Sequence, residues 1–429
     1  MPEADSLIAE LRDSRARTRR VADDLGGERE FGPLLAMVNP PRWELGHVGW
    51  FQEHWCLRRI SPGRYAPERS ASILPNADAL YNSATVPHHA RWDLPLPAFD
   101  ATRSYRDAVL AKLIARLAQR CDEEDAYFVQ LAVRHEDMHA EAFHCTRQTL
   151  AYPAAPLEPR IHPDGERVCG DVEIAGGVFA LGTAPEDGFA FDNEKWAHAI
   201  VIAPFCMARA PVTNAEFAVF VDAGAYERGE FWSISGWRWL QSAGRRAPLY
   251  WRRSGGRREQ RRFDRWHELP PDDPVVHVNW YEADAYCRFA GRRLPSEAEW
   301  ELAATWNPGT GRKRPLPWGD APWQAERANL DGDAPASVHA YPLGDSPLGL
   351  RQMIGNVWEW TASTFLPYPG FLRDPYAEYS VPWFGTHKVL RGGSFSTSPR
   401  VARTTLRNFY TPDRADIIAG FRTCAREAR

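Results

Sequence analysis

The residues best placed to do chemistry lie in the segment RHEDMHAE at 134–141, which holds two histidines four positions apart. The segment has a helical pattern, and side chains at i and i+4 share one helix face, so His135 and His139 can reach one metal ion. His144 follows five positions after the pair and points elsewhere. The letters also match the HExxH motif of zinc proteases, in which Glu136 would be the general base. The segment therefore predicts half of a metal site, for zinc or for iron.

A third ligand is predicted at His47, in the short helical stretch ELGHVGWFQEHW at 44–55. We expect Gly46 and Gly49 to leave space beside its imidazole. Together with the histidine pair, His47 would occupy one face of an octahedron and leave positions open for substrate and dioxygen. A non-haem iron(II) oxygenase needs such positions, although its usual triad has a carboxylate in place of one histidine.

The first half of the chain supplies the elements that must position these histidines. Its apolar residues recur at helical spacing in four stretches, which predicts an all-α, antiparallel four-helix bundle over 1–155. Asp100 is the expected N-cap of the third helix. The basic run from Arg12 to Arg20 is expected on the solvated face of the first helix. The four stretches are 4–25, 43–57, 101–119 and 123–150.

After a linker rich in proline and charge at 151–168, the composition changes to short apolar strands separated by Gly, Pro and Asp turns. Helices are predicted at 281–289 and 296–305, the second from a capping box of Ser296 and Glu299. The pattern indicates an α+β domain over 170–429. Whether its Asp- and Asn-rich loops bind a structural calcium ion is left open by the sequence.

Composition and charge exclude several classes of protein. The chain has 429 residues, with 52 Lys and Arg against 56 Asp and Glu, so it has no global attraction to nucleic acid or to an anionic membrane. The basic stretch at 251–266 is interpreted as a solvated hairpin. No apolar run is long enough to span a bilayer, so we expect a cytoplasmic protein with small-molecule partners. The seven cysteines form no CxxC pair, which argues against a cysteine zinc site.

Several phrases of the second half, in their order along the chain, resemble the formylglycine-generating enzyme or sulfatase-modifying-factor domain, a variant of the C-type lectin fold. They include GGVFALGT (176–183), GNVWEWTAS (355–363) and VLRGGSF (389–395). Formylglycine-generating enzymes use two reactive cysteines near the RGGS segment. This chain has none there, so that activity is not expected.

LGH at 45–47 and HxxxHxE at 135–141 resemble a DinB-type helical bundle. Such a bundle joined to a sulfatase-modifying-factor domain resembles the ergothioneine-biosynthesis sulfoxide synthases and their relatives, the selenoneine synthases, over essentially the whole chain. The resemblance implies Fe(II) held by His47, His135 and His139, with O2 as cosubstrate. It also implies N-α-trimethylhistidine, or hercynine, as the substrate.

Two further motifs carry site residues over from this family. YAEYSVPWF at 376–384 matches its active-site segment, which implies that Tyr376 is the catalytic phenol and Tyr379 its neighbouring aromatic residue. Either tyrosine could instead pack in a core. In the RNF motif at 407–409, Asn408 and Phe409 are implied contacts of the trimethylammonium group, which favours aromatic faces and carbonyl dipoles.

The departures from the family concern the chalcogen donor. Tyr410 stands where synthases that take γ-glutamylcysteine tend to have an acidic residue, and Arg91 is alone where they have an arginine pair. Met138 replaces a glutamine that can contact the imidazole substrate. A neutral selenosugar would suit His88, His89 and Tyr410 better, which favours carbon–selenium bond formation and selenoneine biosynthesis.

Three alternatives stay open at this point. The first is an ergothioneine-pathway sulfoxide synthase that uses cysteine or γ-glutamylcysteine. The second is a zinc hydrolase on HEDMH with Glu136 as its base. The third is a lectin-like domain that only binds its ligand, since a fold by itself does not establish an activity.

Overall fold

A computed structural model describes residues 3–59, 69–158 and 160–426, and the chain divides into two compact units. One comprises Met1–Glu158 and Asp374–Glu378, and the other comprises Pro159–Arg373 and Tyr379–Arg429. The sequence placed all of 170–429 in the second domain. The short segment that holds Tyr376 instead groups with the helical unit.

The first unit is helical, as predicted. α2 continues directly into one turn of π-helix at Glu53–Leu57, and α3 was not predicted because five residues are too few to show a period. The α-helices are α1 (Ala4–Ala22), α2 (Pro41–Gln52), α3 (Ala77–Tyr81), α4 (Phe99–Gln119) and α5 (Glu123–Leu150).

Local sequence explains where the two longest helices begin. Asp122 caps α5 by accepting a hydrogen bond from the Asp125 amide at 2.8 Å, and acidic residues in the first turn stabilise the helix dipole. α4 begins at Phe99, two residues earlier than expected, so Asp100 lies in its first turn and is not the N-cap. Its carboxylate is 3.4 Å from the guanidinium of Arg103 instead.

The apolar stripe of α1 packs against α5, and a buried cluster joins the helices at the end nearer Ala155. The prediction that the basic run of α1 is solvated was wrong for Arg15 and Arg17, which are 2% and 3% exposed. Both guanidinium groups are buried in the bundle because they form ion pairs with Glu136 and Asp137 of α5. The cluster contains Val21, Ala22, Leu25, Leu45, Phe99, Ala140, Phe143 and Ala155.

The second unit is α+β, as predicted. Its helices are α6 (Asn214–Asp222), α7 (Ile234–Ala243), α8 (Trp280–Phe289) and α9 (Glu297–Thr305). Its strands are β1 (Asp171–Ile174), β2 (Gly177–Leu181), β3 (His198–Ile202), β4 (Phe205–Ala208), β5 (Trp251–Ser254), β6 (Arg257–Arg262), β7 (Arg265–Glu268), β8 (Arg292–Arg293), β9 (Trp306–Asn307), β10 (Arg312–Lys313), β11 (Trp358–Thr364), β12 (Lys388–Arg391), β13 (Asn408–Tyr410), β14 (Ala419–Gly420) and β15 (Cys424–Ala425).

Two four-stranded sheets, in the orders β1-β4-β15-β8 and β13-β12-β11-β14, form the framework of this unit. β12 pairs antiparallel with β11 on one side and with β13 on the other, so the RNF motif lies beside the strand that leads into RGGS. The predicted hairpin at 251–266 forms from β5 and β6 and is extended by β7. Its arginines are largely matched by acidic neighbours, for example Arg252 by Glu259 at 2.6 Å.

α9 packs against strands of the second unit, including β11 and β12. The capping box forms as predicted, with the Ser296 hydroxyl accepting from the Glu299 amide at 3.2 Å. Glu297 and Glu301, four positions apart, lie on one side of the helix and pair with the buried arginines Arg407 and Arg391. These ion pairs therefore fix the first residue of the RGGS motif and the first residue of the RNF motif to α9. In the part of the chain that the structure describes, no helix is apolar enough over its length to cross a membrane.

Candidate metal centre

Three imidazoles meet inside the helical unit. His47 comes from α2, and His135 and His139 come from successive turns of α5. One ring nitrogen from each lies within 4.8 Å of the other two. Among residues 3–59, 69–158 and 160–426, no other three His, Cys, Asp or Glu side chains are so arranged for a metal.

Two of the rings are oriented by hydrogen bonds on their Nδ1 atoms. Nδ1 of His47 lies 2.8 Å from the Tyr81 carbonyl oxygen, and Nδ1 of His139 lies 2.6 Å from Oε1 of Glu44. Both acceptors require a proton on Nδ1, so each Nε2 keeps its lone pair for a metal. The orientation of these ligands therefore depends on Glu44 and on the end of α3.

His135 is held differently. Its Nδ1 has no hydrogen-bond partner in the described part of the chain, although the ring is buried. The ring of Phe51 stacks on it with centroids 3.6 Å apart and planes 4° apart. Phe51 is thus the side chain that sets the plane of the third imidazole.

Burial keeps two of the imidazoles neutral. It lowers the pKa of His47 and of His135 well below the usual histidine range, and the neighbouring His139 lowers both further. Trp43 and Trp50 stack against His47 and exclude water from it. Because a neutral imidazole is the form that binds metal, the site is prepared for a cation at neutral pH.

The three side chains fit a single transition-metal ion. Metal–nitrogen bonds of about 2.0–2.1 Å place ligand atoms on one face of an octahedron about 3 Å apart, so the three nitrogens, which lie within 4.8 Å of one another, would draw closer around a bound ion. The buried Nδ1 of His135 has no hydrogen-bond partner in the described part of the chain, as expected of a polar atom placed to meet a bound group. An all-nitrogen set suits both iron and zinc.

Glu136, the base that a zinc hydrolase would need, is occupied elsewhere. Its carboxylate accepts from Arg15 Nε at 2.8 Å and from Arg106 Nη2 at 2.9 Å, and it is 1% exposed. Burial by itself would raise the pKa of Glu136, but the two guanidinium groups lower it below the usual range. A carboxylate held between two arginines is a poor base, which argues against the hydrolase alternative.

Tyr376 stands beside the third imidazole. Its ring centroid lies 6.0 Å from that of His135 and 4.8 Å from that of Phe51, both in edge-to-face geometry. Burial, and then the nearby Glu378, raise the pKa of Tyr376 well above the usual tyrosine range. Its hydroxyl therefore carries its proton at neutral pH and can donate it.

The predicted ammonium-binding residues only partly come together. The ring of Phe409 stacks on Phe365 at 4.1 Å and meets Tyr379 at 5.4 Å, and Tyr379 meets Phe191 at 4.5 Å. All of these aromatic side chains belong to the second unit. They form one aromatic cluster of the kind that can face a quaternary ammonium group.

The side chains of Asn408 and Tyr410 lie on the opposite face of β13 from that of Phe409. Successive residues of β13 point to opposite faces, so these two side chains lie across the strand from Phe409. Asn408 accepts from the Phe409 amide at 2.9 Å, and Arg414 lies over the Tyr410 ring at 4.9 Å. Met138 is half-buried on α5, one position before His139.

The predicted donor-side residues have partners of their own. The guanidinium of Arg91 lies 3.8 Å above the Trp43 ring and donates to Asn39 at 2.5 Å. Nε2 of His88 is 2.8 Å from the Val38 carbonyl oxygen, and His89, on the same short turn, is exposed.

The space predicted beside His47 is filled by neighbouring side chains. A Cβ atom on Gly46 would lie 2.2 Å from the Tyr81 ring, and one on Gly49 would lie 2.7 Å from the Arg106 side chain. The glycines therefore allow α3 and α4 to approach α2 and do not open a cavity. Glu44 and Phe51 were not predicted, although Glu44 lies one helical turn before His47 in the sequence.

Comparison with known proteins gives two findings. Residues 158–428 match the model of the sulfatase-modifying factor enzyme 1-like domain. The whole chain is similar to hercynine oxygenases of Mycolicibacterium thermoresistibile and Mycobacterium tuberculosis. Each is 38% identical over 98% of this chain, and the matches cover 95% and 99% of those proteins.

The formylglycine-generating enzyme of Streptomyces coelicolor is 34% identical, over 64% of this chain and 95% of its own length. That coverage is close to the share of the chain that the second unit makes up, whereas the matches to the hercynine oxygenases also include the helical unit with its three histidines.

Proposed function

We propose, from the premise that the chain belongs to the hercynine oxygenase family and is an oxidoreductase, that it joins a chalcogen atom to the imidazole C2 of hercynine. The reaction is non-haem iron(II)- and O2-dependent. The C2–H bond and the chalcogen–H bond break, and the carbon–chalcogen bond forms. One oxygen atom of O2 stays on the chalcogen, and the other leaves as water.

The observation that carries this proposal is the juxtaposition of three imidazoles with a protonated phenol. His47, His135 and His139 would hold Fe(II), and the Tyr376 ring centroid lies 6.0 Å from that of His135. When bound, the iron supplies redox chemistry and coordination positions for the imidazole, the donor and dioxygen. The three ligands are all histidines, and Glu136 is held by two arginines and is not available as a general base. Both features favour this chemistry over hydrolysis.

Tyr376 is the proposed catalytic residue. Its raised pKa keeps the phenolic proton in place until the reacting oxygen needs a proton or a hydrogen atom. Phe51 holds it at the site, because its ring contacts both Tyr376 and His135. Phe51 therefore orients both the Tyr376 phenol and the His135 imidazole.

Hercynine carries a trimethylammonium group, which needs aromatic faces and oxygen dipoles. We assign this role to Tyr379 and Phe409, whose ring centroids are 5.4 Å apart. Asn408 lies on the opposite face of β13 and its side-chain oxygen accepts from the Phe409 amide, so its side chain would have to reorient to contact the same group. We assign Met138, which precedes His139 in the sequence, to the imidazole end of the substrate.

A selenosugar is the proposed donor, which would make the product a precursor of selenoneine. Tyr410 has no carboxylate with which to bind an ammonium group, and Arg91 is engaged by Trp43 and Asn39. A hydroxyl-rich sugar needs neither charge. The second candidate is a sulfur donor, cysteine or γ-glutamylcysteine. Arg69 favours it, because its guanidinium stacks on Trp55 and has no carboxylate partner among the described residues, and a donor carboxylate would match that charge.

The test is an anaerobic, iron-loaded incubation with hercynine and one donor at a time, opened to air and analysed by mass spectrometry. A carbon–selenium product with the selenosugar alone is expected, and a sulfoxide with either thiol would replace that donor assignment. Tyr376→Phe should retain hercynine binding but lower product yield and divert oxygen chemistry. Tyr127→Phe, on α5, is the matched control. Unchanged yield and product distribution in Tyr376→Phe would contradict its role.

A further inference from the structure

Three arginines converge where α2 ends and the next segment returns to it. Arg58 forms a bidentate ion pair with Asp78 at 2.7 and 2.9 Å, and Arg59 pairs with Glu124 at 2.6 Å. Arg69 is the third, and it is half-buried. Among the described residues, two carboxylates, those of Asp78 and Glu124, thus pair with two of the three arginines.

Arg69 has no carboxylate partner in the described part of the chain. Nη1 donates to the His54 carbonyl oxygen at 2.5 Å, which is its one hydrogen-bond acceptor there. A guanidinium has five N–H donors in a planar fork, and the described residues supply one acceptor, so its other donors are available to a ligand as far as that part of the chain is concerned. Burial, and then Arg58 and Arg59, lower the pKa of Arg69 to about 10, which reflects the unfavourable surroundings of an unmatched cation.

The position of Arg69 is built rather than accidental. Its backbone forms an antiparallel bridge with Arg59, and the next amide, of Ser70, donates to the Arg58 carbonyl oxygen at 2.7 Å. Its guanidinium lies 4.7 Å from the centre of the Trp55 ring. Stacking on a buried indole restricts the direction of the fork.

Trp55 also contacts the proposed catalytic residue. The ring centroids of Trp55 and Tyr376 are 6.3 Å apart, and Tyr376 lies 6.0 Å from His135. The guanidinium of Arg69 is therefore linked to His135 by three successive contacts, through the rings of Trp55 and Tyr376, inside the same unit.

We propose that Arg69 is an anion-binding subsite that takes the carboxylate of a substrate handled at this centre. The inference rests on the proposed function, because it identifies the charged end of one of that function's substrates. Hercynine and an amino-acid donor both carry a carboxylate, and a fork of guanidinium donors binds either as a bidentate pair.

The experiment measures equilibrium binding to the anaerobic, iron(II)-loaded, full-length protein by isothermal titration calorimetry. The ligands are hercynine, its carboxamide, cysteine, and cysteamine, which lacks the carboxylate. The variants are Arg69→Gln, Arg69→Lys and, as the matched control, Arg103→Gln, whose guanidinium pairs with Asp23 on the bundle surface. Thermal unfolding and iron(II) titration of each variant check that fold and metal site are retained.

Arg69→Gln should weaken binding of one carboxylate ligand roughly 10- to 100-fold, with no change for the matching ligand that lacks the carboxylate. Arg69→Lys should recover only part of the affinity, because lysine has no fork. A loss confined to hercynine identifies its carboxylate as the occupant. A loss confined to cysteine identifies the donor carboxylate and argues against a neutral sugar.

Unchanged affinity for both carboxylate ligands in Arg69→Gln overturns the subsite and leaves the proposed function intact. A wild-type protein that binds iron(II) but neither hercynine nor any donor overturns the proposed function, and the subsite with it.

Discussion

At the residue scale, the chemistry of the centre is set by what the histidines touch. The Nδ1 atoms of His47 and His139 are tied to a carbonyl and a carboxylate, and His135 is stacked on Phe51. Glu44 is 1% exposed, and such a charge is buried only where it has a partner. Its hydrogen bond fixes the tautomer of His139 and makes the imidazole a stronger ligand.

Replacing Glu44 should therefore weaken metal binding without removing a ligand. We expect Glu44→Gln to lower the affinity for Fe(II) or Co(II) by about 10- to 100-fold, measured by anaerobic titration. Glu123→Gln, at an exposed position in the first turn of α5, is the control and should bind as the wild type does. Equal affinities of the two variants would mean that Glu44 does not support His139.

At the scale of elements, α2 is the helix on which the centre depends. Its two glycines admit a tyrosine from α3 and an arginine from α4, and its π-helical turn follows immediately after Phe51 and Gln52. A π-helical turn inserts one residue into the helical repeat and is frequent at functional sites. It carries Trp55, which links Tyr376 to Arg69.

A methyl group at Gly46 should disturb this packing. Its Cβ would lie 2.2 Å from the Tyr81 ring, whose backbone carbonyl orients His47. We expect Gly46→Ala to lower the free energy of unfolding by about 1–3 kcal/mol and to reduce metal affinity. Denaturant unfolding and metal titration measure both effects.

Gly26→Ala is the control in the same unit, because its Cβ would meet the Phe99 ring at an ordinary 3.4 Å. If Gly46→Ala proved as stable as this control and bound metal as tightly, the close approach of α2 and α3 would not be what positions His47.

At the scale of the whole molecule, both units bury arginines in ion pairs. Six of the twelve largest fully buried side chains are arginines, and removing the partner of such a charge costs about 3–5 kcal/mol. The buried histidines are instead held neutral, and burial lowers the pKa of His277 to about 4. The six arginines are Arg15, Arg106, Arg147, Arg391, Arg407 and Arg422.

These histidines should make the protein sensitive to mild acid. The pKa of His277 is lower in the folded than in the unfolded state, so between about pH 6.5 and pH 4 the unfolded state binds more protons. Its contribution to stability is present above that window and lost as the pH falls through it. From pH 7 to pH 5 the loss is about 2 kcal/mol for this residue.

Urea unfolding at pH 7 and pH 5 measures the effect. His277→Asn should be destabilised at both pH values but lose about 2 kcal/mol less on acidification, and asparagine tolerates the positive φ of 62° at this position. His267→Gln, on exposed β7, should retain the full wild-type pH dependence. An unaltered pH dependence in His277→Asn would contradict the assignment.

Features that depend on neighbours in the sequence were predictable. The four long helices, the capping box at Ser296, the pair of α5 histidines and the change of fold class near residue 160 follow from local periodicity and composition. His47 was predicted from its chemistry and its helix. Asp100 failed as an N-cap because the helix begins one residue before it, a shift within the uncertainty of sequence-based boundaries.

The sequence by itself determined two differently built halves and the three histidines, because residue type and helical spacing suffice for both. Only the tertiary structure decided what surrounds them. Glu44 reaches His139 across 95 positions, and Arg15 reaches Glu136 across 121. No local pattern distinguishes a buried arginine from a solvated one on α1. Burial, pairing and side-chain orientation depend on which distant segments meet, and folding brings those segments together.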